Sequence, residues 1–254
     1  MAVRRSSGDK AQDFVDRTID TYQKIAKVYT ETWFNDPVME PGLGRFLSML
    51  EPGSSILDAG CGPGRDTRFM KKKGFEVVGI DLSDAMLEEA RLRVPEGIFR
   101  RMDIRAPRFP PETFDGIWAA ASLHHVPSAD VLNVMRRYKG LLVPGGTLAI
   151  VVQEGNGDGV DSSGRYRKFY DRNELKNLLA DNGFEVVYEQ ASSSNKNTLG
   201  GDRQRIWLFC LAQKSTLGSS SEPSASRDCL LCPGSRFSLR RRAGLAAATA
   251  VLWG

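Results

Sequence analysis

Histidine and cysteine are both scarce in this sequence. It contains two histidines and four cysteines among 254 residues. Cys61 lies in a glycine-rich segment and Cys210 in an apolar run, so these cysteines do not form the framework of a small disulfide-stapled protein. We therefore expect free thiols and a cytoplasmic location.

Long apolar segments are also missing. A membrane-spanning helix needs about 18 or more apolar residues, and the longest candidate, 243–253, is too short and rich in alanine. Arg4 and Arg5 are not followed by the apolar stretch of a signal peptide. We expect neither a signal peptide nor a membrane span.

Concentrated positive charge is absent from most of the chain. The net charge is +4 at pH 7, and residues 215–254 contribute +3 of it, from five arginines against Glu222 and Asp228. The remainder is nearly neutral, whereas a nucleic-acid-binding protein carries basic residues concentrated on one face. The sequence thus carries no strong nucleic-acid signal, favours a small-molecule partner and leaves the oligomeric state open.

Three parts are predicted along the chain. Residues 1–45 are predicted to be an N-terminal helical cap, because apolar residues recur there at helical spacing. Those residues are Tyr22, Ile25, Ala26 and Tyr29. Residues 46–214 form the main domain. Residues 215–254 are rich in serine and glycine at their start and lack a clear period, so we predict a disordered tail.

The tail contains two cysteines, Cys229 and Cys232, at the spacing of half a zinc site. Structural zinc takes four ligands, and no second pair lies nearby in the sequence. We therefore predict no bound metal, with zinc as the alternative.

The main domain alternates between strand and helix patterns. Strands are predicted at 55–59, 76–80, 98–102, 114–119, 147–152, 184–188 and 205–211. Helices are predicted at 43–50, 65–73, 83–93, 129–139 and 171–179. Such alternation predicts an α/β fold with a parallel sheet. The last two strands are close enough in sequence to pair antiparallel, and the glycine-rich segment 155–164 is predicted to be mobile.

A glycine loop, Asp58-Ala59-Gly60-Cys61-Gly62-Pro63-Gly64, joins the first predicted strand to the next helix. Glycine has no Cβ, so it permits unusual backbone angles and close approach of a ligand. Arg65 stands where a dinucleotide fingerprint has its third glycine, so a pyrophosphate fits poorly. Backbone N–H groups suit a carboxylate and Asp58 suits an ammonium, as at the amino-acid end of a ligand.

Acidic residues follow the next two predicted strands. Asp81 lies 21 residues after Gly60, close to the roughly 20 residues typical of an acid that holds ribose hydroxyls. Asp103 ends the third strand and could accept a hydrogen bond from an adenine amino group. Leu82 and Met86 could contact the ring.

These segments together resemble the class I S-adenosylmethionine-dependent methyltransferases. The resemblance runs from about Tyr22 to Lys214, and its segments are 56–64, 78–83, Asp103, Phe114-Asp115 and 141–146. It implies a Rossmann-like three-layer sandwich with a seven-stranded, mostly parallel sheet whose last strand is antiparallel.

The resemblance also implies S-adenosyl-L-methionine as the cofactor. Asp58, Gly60 and Gly62 would hold its methionine end, Asp81 the ribose and Asp103 the adenine. The full predicted cofactor site is Asp58, Gly60, Cys61, Gly62, Gly64, Asp81, Leu82, Met86, Asp103 and Ile104.

The chain's two histidines, His124 and His125, follow the fourth predicted strand and fall beside the predicted methyl site. Either could act as a general base, or the pair could only shape the pocket. Tyr22, Tyr29 and Trp33 could form an aromatic lid over the cofactor or pack in the core.

The segment after residue 155 is predicted to border the pocket of the methyl acceptor. Arg165, Tyr166, Arg167 and Tyr170 follow it, and its basic residues could favour an anionic acceptor or be solvated. The predicted activity is methyl transfer to a nucleophilic O, N or C of a small molecule. The alternatives are cofactor binding without methyl transfer, aminopropyl transfer, and an RNA or protein acceptor.

Overall fold

The structure, a computed structural model, describes residues 7–194 and 205–215. The predicted disordered tail, with Cys229 and Cys232, lies outside the described residues except for Ser215. The boundary predicted at residue 45 stays a prediction.

The helices agree with the sequence patterns, with shifts of three residues in α2 and two in α5. They are α1 (Ser7–Trp33), α2 (Glu40–Leu47), α3 (Arg65–Lys72), α4 (Asp84–Arg93), α5 (Val131–Leu141) and α6 (Arg172–Asp181). The Ser83 side chain caps α4 by accepting from the Met86 N–H, and Asp171 caps α6. Helix α2 begins earlier than predicted because Pro41 is tolerated in a first helical turn.

The strands form one large sheet and one hairpin. They are β1 (Ser55–Ala59), β2 (Glu76–Asp81), β3 (Ile98–Arg101), β4 (Phe114–Ala120), β5 (Leu142–Gln153), β6 (Asp158–Val160), β7 (Tyr166–Lys168), β8 (Phe184–Ser194) and β9 (Arg205–Lys214). The large sheet has seven strands in the order β3-β2-β1-β4-β5-β9-β8, and β9 is antiparallel to both neighbours. The predicted α/β fold, with a seven-stranded, mostly parallel sheet and an antiparallel last strand, is confirmed.

Apolar clusters cover both faces of this sheet. Successive residues of a strand point to opposite faces, and in β4 Ile117 packs with Tyr138 of α5, whereas Trp118 packs with Phe46 of α2 and Met70 of α3. Since neither face is open to water, the central strands are apolar along their whole length rather than alternating. This packing makes a rigid base for the residues that follow the strand ends.

The segment predicted to be mobile, 155–164, forms part of a hairpin instead. Strand β6 pairs antiparallel with β7, with Val160 opposite Tyr166. The Asp161 side chain accepts hydrogen bonds from the Ser163 and Arg165 backbone N–H groups in the turn, at 2.9 and 3.1 Å. Thr18 of α1 accepts from the Tyr166 N–H at 2.9 Å. Side-chain contacts, which strand propensity does not measure, order this segment.

No helix in residues 7–194 or 205–215 is long and apolar enough to cross a membrane.

Candidate active site

One cavity of about 420 Å³ lies at the carboxyl ends of β1, β2 and β4. These strands are adjacent and parallel, so the residues that follow them meet at one edge of the sheet. Helix α1, strand β9 and the hairpin of β6 and β7 contribute further lining residues. This is the ordinary location of a ligand site in an open α/β sheet.

Nine of the ten predicted cofactor residues line this cavity, and Gly64 does not. A Cβ on Gly64 would lie 3.0 Å from the Phe99 ring and 3.3 Å from the Ala90 Cβ. The absence of a side chain at Gly64 therefore lets the start of α3 pack closely against Ala90 of α4 and Phe99 of β3. Its predicted role in lining the cofactor site is not supported by its position.

The glycine loop has one packed glycine and one that faces open space. Gly60 has φ +84°, and a Cβ there would lie 2.4 Å from the Ser122 Cβ. Gly62 has φ +51°, and a Cβ there would meet no described atom within 4 Å. Gly60 thus permits the loop to pack against Ser122, while Gly62 leaves its backbone accessible to a ligand.

Asp58 is a buried carboxyl at the end of β1, with 2% of its surface exposed. The Thr67 hydroxyl donates a hydrogen bond to it at 2.6 Å. Burial, together with the nearby charge of Asp66, raises the pKa of Asp58 to about 8. A cation bound in the cavity would favour the ionised form.

Sequence reasoning missed the ion pair next to Asp58. Arg65 Nε lies 2.7 Å from Asp66 Oδ1, and the Trp118 indole N–H donates to Asp66 Oδ2 at 2.9 Å. Both members of the pair line the cavity. Their adjacency in sequence was visible, but the buried indole donor comes from β4, 52 residues away.

Asp81 is held in a fixed orientation at the end of β2. Its Oδ1 accepts the Ser83 N–H at 2.9 Å and its Oδ2 accepts the Gly62 N–H at 3.0 Å. Burial nevertheless raises the pKa of Asp81. Each carboxylate oxygen has two lone pairs, so each can accept one more hydrogen bond from a hydroxyl group.

Asp103 lines the same cavity beyond β3, but its carboxylate is already ion-paired. Arg105 Nη2 and Nε donate to Asp103 Oδ2 at 2.7 and 2.9 Å, and Arg105 Nη1 donates to Asp130 at 2.9 Å. Arg105 was not predicted. The apolar residues predicted beside the adenine, Leu82, Met86 and Ile104, also line the cavity.

The two histidines lie together in the cavity wall but have different partners. His125 Nδ1 is 2.7 Å from the Tyr166 carbonyl, and His125 Nε2 is 2.9 Å from the Tyr22 hydroxyl. His124 Nε2 lies 3.1 Å from His125 Nε2. Burial lowers the pKa of both rings, for His125 to about 3, so both are neutral near pH 7.

The predicted aromatic lid residues also line the cavity. The Tyr22 and Tyr29 rings lie 5.8 Å apart edge to face, and Trp33 is 6.5 Å from Tyr29. All three are partly buried on one side of α1. Their position fits a lid, although their role stays a prediction.

Two of the four residues predicted to border the acceptor pocket line the cavity. Arg165 and Arg167 do so, whereas Tyr166 and Tyr170 do not and are almost fully buried. Arg205 of β9 is a further cavity residue that sequence reasoning missed. Nothing near it in the sequence indicates its position, which depends on the pairing of β9 with β5 and β8.

Within the described ranges, no group of three or more Asp, Glu, His or Cys side chains is placed so that it could hold a metal ion. Cys61 and Cys210 are free and buried.

Comparison with known proteins gives a consistent picture for the centre of the chain. Residues 56–146 match the methyltransferase domain family. Trans-aconitate 2-methyltransferase of Methylobacterium radiotolerans is 41% identical over 103 residues, which are 40% of this chain and 38% of that protein. Malonyl-[acyl-carrier protein] O-methyltransferase of Salmonella typhimurium is 35% identical over 96 residues, 38% of each chain. The matched regions thus span about 40% of these relatives.

The fold is shared over a greater length. The structure of Burkholderia thailandensis 1,6-didemethyltoxoflavin-N1-methyltransferase, with bound 1,6-didemethyltoxoflavin and S-adenosylhomocysteine, superposes with a TM-score of 0.68. The two sequences are 23% identical, and the alignment covers 85% of this chain and 93% of that one. The family match over residues 56–146, the strand order and the shared fold agree, so the centre of this chain is similar to the class I S-adenosylmethionine-dependent methyltransferases.

Proposed function

We propose that this protein is an enzyme that transfers a methyl group from S-adenosylmethionine to an O, N or C atom of a small molecule. The observation that carries the proposal is the convergence of Asp58, Asp81 and Asp103 on one cavity next to the open backbone of Gly62. The activities in the names of the relatives, methyl transfer to trans-aconitate and to malonyl-[acyl-carrier protein], support the same type of reaction.

The cavity fits the cofactor at several points. Asp81 has free lone pairs for two ribose hydroxyls, and Gly62 leaves space against its backbone. The buried Ser122 hydroxyl has no hydrogen-bond partner among the described residues, although buried polar groups are normally paired. A polar ligand atom would satisfy it. Asp58 would pair with the amino group of the ligand.

The protein's own contribution to catalysis is mainly positioning. When bound, S-adenosylmethionine supplies a methyl group that its sulfonium already activates, so the protein has to align the nucleophile and exclude water. Tyr22, Tyr29 and Trp33 would exclude water on one side of the cavity. A base is needed only where the attacking atom carries a proton at the working pH.

The hydrogen bonds around the histidines favour His124 for that role. A carbonyl oxygen can only accept, so His125 Nδ1 carries the proton that it donates to the Tyr166 carbonyl. His125 Nε2 is therefore an acceptor that faces two donors, the Tyr22 hydroxyl at 2.9 Å and His124 Nε2 at 3.1 Å, and we assign the His124 proton to Nε2. The neutral His124 ring then has a lone pair on Nδ1, which is buried in the cavity wall and has no partner in the described part of the chain.

The cavity favours a small acceptor, because α1 and the hairpin of β6 and β7 line it and are joined by the hydrogen bond from the Tyr166 N–H to Thr18. Binding of the cofactor without transfer, aminopropyl transfer, and an RNA or protein acceptor are the alternatives. The proposal includes a cytoplasmic location, which the free thiols of Cys61 and Cys210 support.

The test is incubation of the purified protein with methyl-labelled S-adenosylmethionine and a pool of metabolites. We expect label in a small molecule with wild-type protein and with Gly140→Ala, since a Cβ at this glycine of α5 meets open space. We expect none with Gly60→Ala. Cofactor that binds without losing its label would contradict the proposed transfer. Label recovered only in RNA or protein would contradict the small-molecule acceptor.

A further inference from the structure

Three arginines line the cavity on the side of His124 and form what we call the arginine cluster: Arg165, Arg167 and Arg205. Arg165 and Arg167 flank Tyr166 at the start of β7, and Arg205 begins β9. The side chains of Arg165 and Arg167 are only 5% and 9% exposed. Long cationic side chains are seldom buried to this degree without paired charges.

The acidic groups around this cluster do not balance it. Asp161 pairs with two of the arginines through one oxygen, at 3.2 Å from Arg165 Nη2 and 2.7 Å from Arg167 Nε. The Arg205 side chain has no ion-pair or hydrogen-bond partner within the described ranges, although its backbone pairs with Ser194 of β8. Three guanidinium groups therefore line the cavity, and the one carboxylate beside them pairs with only two of the three.

The positive charges of the cluster act on Arg205 and on His124. Burial lowers the pKa of Arg205, and the charges of Arg167 and Arg165 lower it further. Burial also lowers the pKa of His124, and the same three arginines are among the groups that add to the effect. The cluster is thus a region of uncompensated positive charge within electrostatic reach of His124.

We propose that the arginine cluster binds a carboxylate of the methyl acceptor. Guanidinium groups bind carboxylates through paired, charge-assisted hydrogen bonds, and their strength increases in a site that excludes water. An anionic acceptor would supply the missing negative charge. It would also bring the rest of the molecule next to His124 and the cofactor. The inference rests on the proposed function for naming this ligand as the acceptor.

The names of two relatives agree with this chemistry. Trans-aconitate carries several carboxylates and the malonyl group carries one. Phosphate is also an anion that arginines bind. The relatives favour the carboxylate, and phosphate enters the test as a competing ligand.

The experiment measures binding by calorimetry, first of S-adenosylhomocysteine and then of trans-aconitate as the probe in its presence. The neutral trimethyl ester of trans-aconitate is the matched ligand control. Arg205→Gln is the variant, and Arg137→Gln, on the exposed side of α5, is the protein control. Arg205 is chosen because, unlike Arg165 and Arg167, it is not part of the ion pairs that hold the hairpin turn.

We expect the ester to bind at least about tenfold more weakly than the tricarboxylate, since each lost charged hydrogen bond costs about a factor of ten or more. Arg205→Gln should weaken the tricarboxylate by a similar factor and leave S-adenosylhomocysteine binding unchanged. Arg137→Gln should change neither. Because Arg205→Gln relieves repulsion, its melting temperature should equal or exceed that of the wild type, which a merely structural arginine would not give.

Three results would overturn the inference. They are equal binding of the ester and the tricarboxylate, unchanged tricarboxylate binding by Arg205→Gln, and failure of mono-, di- and tricarboxylates to bind while inorganic phosphate does. If the wild-type protein does not bind S-adenosylhomocysteine, that result would instead contradict the proposed function. The carboxylates are then titrated into protein without cofactor, and that titration still tests whether the arginine cluster binds a carboxylate.

Discussion

The substitution Asp58→Asn separates the cost of a buried carboxyl group from its proposed use. Burial raises the pKa of Asp58 from 3.8 to about 8, so the folded protein holds this proton more tightly than the unfolded chain does. The free energy of unfolding therefore falls as the pH rises from about 4 towards 8. At about 1.4 kcal/mol per pH unit, the penalty is on the order of a few kcal/mol at pH 7 and is smaller at pH 5.

Asparagine removes this penalty, because it carries no charge and its amide oxygen can still accept the hydrogen bond from Thr67. We expect Asp58→Asn to raise the free energy of unfolding in urea, by more at pH 7 than at pH 5. It should also weaken S-adenosylhomocysteine binding roughly 10- to 100-fold, because the ammonium loses a charged partner. Asp20→Asn, on the exposed side of α1, is the control.

The opposite directions of these two effects make the test sharp. A variant no more stable than the wild type at pH 7 would refute the burial argument. A variant that binds S-adenosylhomocysteine as tightly as the wild type would refute the pairing of Asp58 with the ammonium.

Three further predictions concern the loop, the base and the hairpin. Gly60→Ala should lower the free energy of unfolding by about 1 to 3 kcal/mol in urea titrations, since φ is +84° and its Cβ would collide with Ser122; unchanged stability would contradict this packing. His124→Asn should reduce kcat at saturating cofactor more than His125→Asn does. Because the lowered pKa of His124 keeps its ring neutral, the kcat of the wild type should show no titration near pH 6.5. A titration near that pH would contradict the neutral His124. Asp161→Asn should lower the melting temperature above pH 4. Burial opposes ionisation of Asp161, but the hydrogen bonds that it accepts from Arg167 and Ser163 lower its pKa. The difference in melting temperature between the variant and the wild type should therefore shrink as the pH falls below 4. A difference that stays constant with pH would contradict this role of Asp161.

The fold could be predicted from the sequence because local pattern and tertiary structure agree along the central strands. Strand β1 has the predicted bounds, and the others differ at their ends. The carboxyl ends of parallel strands meet at one edge whatever the details of packing. Asp58, Asp81 and Asp103 therefore came together as expected from their order in the chain.

The parts that sequence reasoning missed depend on side chains from distant segments. The hairpin after residue 155 is glycine-rich and exposed along β6, and its turn depends on Asp161 rather than on apolar alternation. Strand β8 extends through polar residues to Ser194 because its backbone pairs with β9. Arg205 reaches the cavity only through that pairing. Gly64 packs against Phe99, a contact that the loop motif does not encode.

Direct titration of S-adenosylmethionine into the purified protein tests the central claim most simply. We predict one binding site per chain by calorimetry. Asp81→Asn should weaken that binding at least about tenfold, since it removes a charged acceptor for the ribose hydroxyls. Asp84 has an exposed carboxylate that pairs with Arg101, and Asp84→Asn should leave the binding of S-adenosylmethionine unchanged. Absence of binding, or equal binding by the Asp81 variant, would contradict the site described for this cavity.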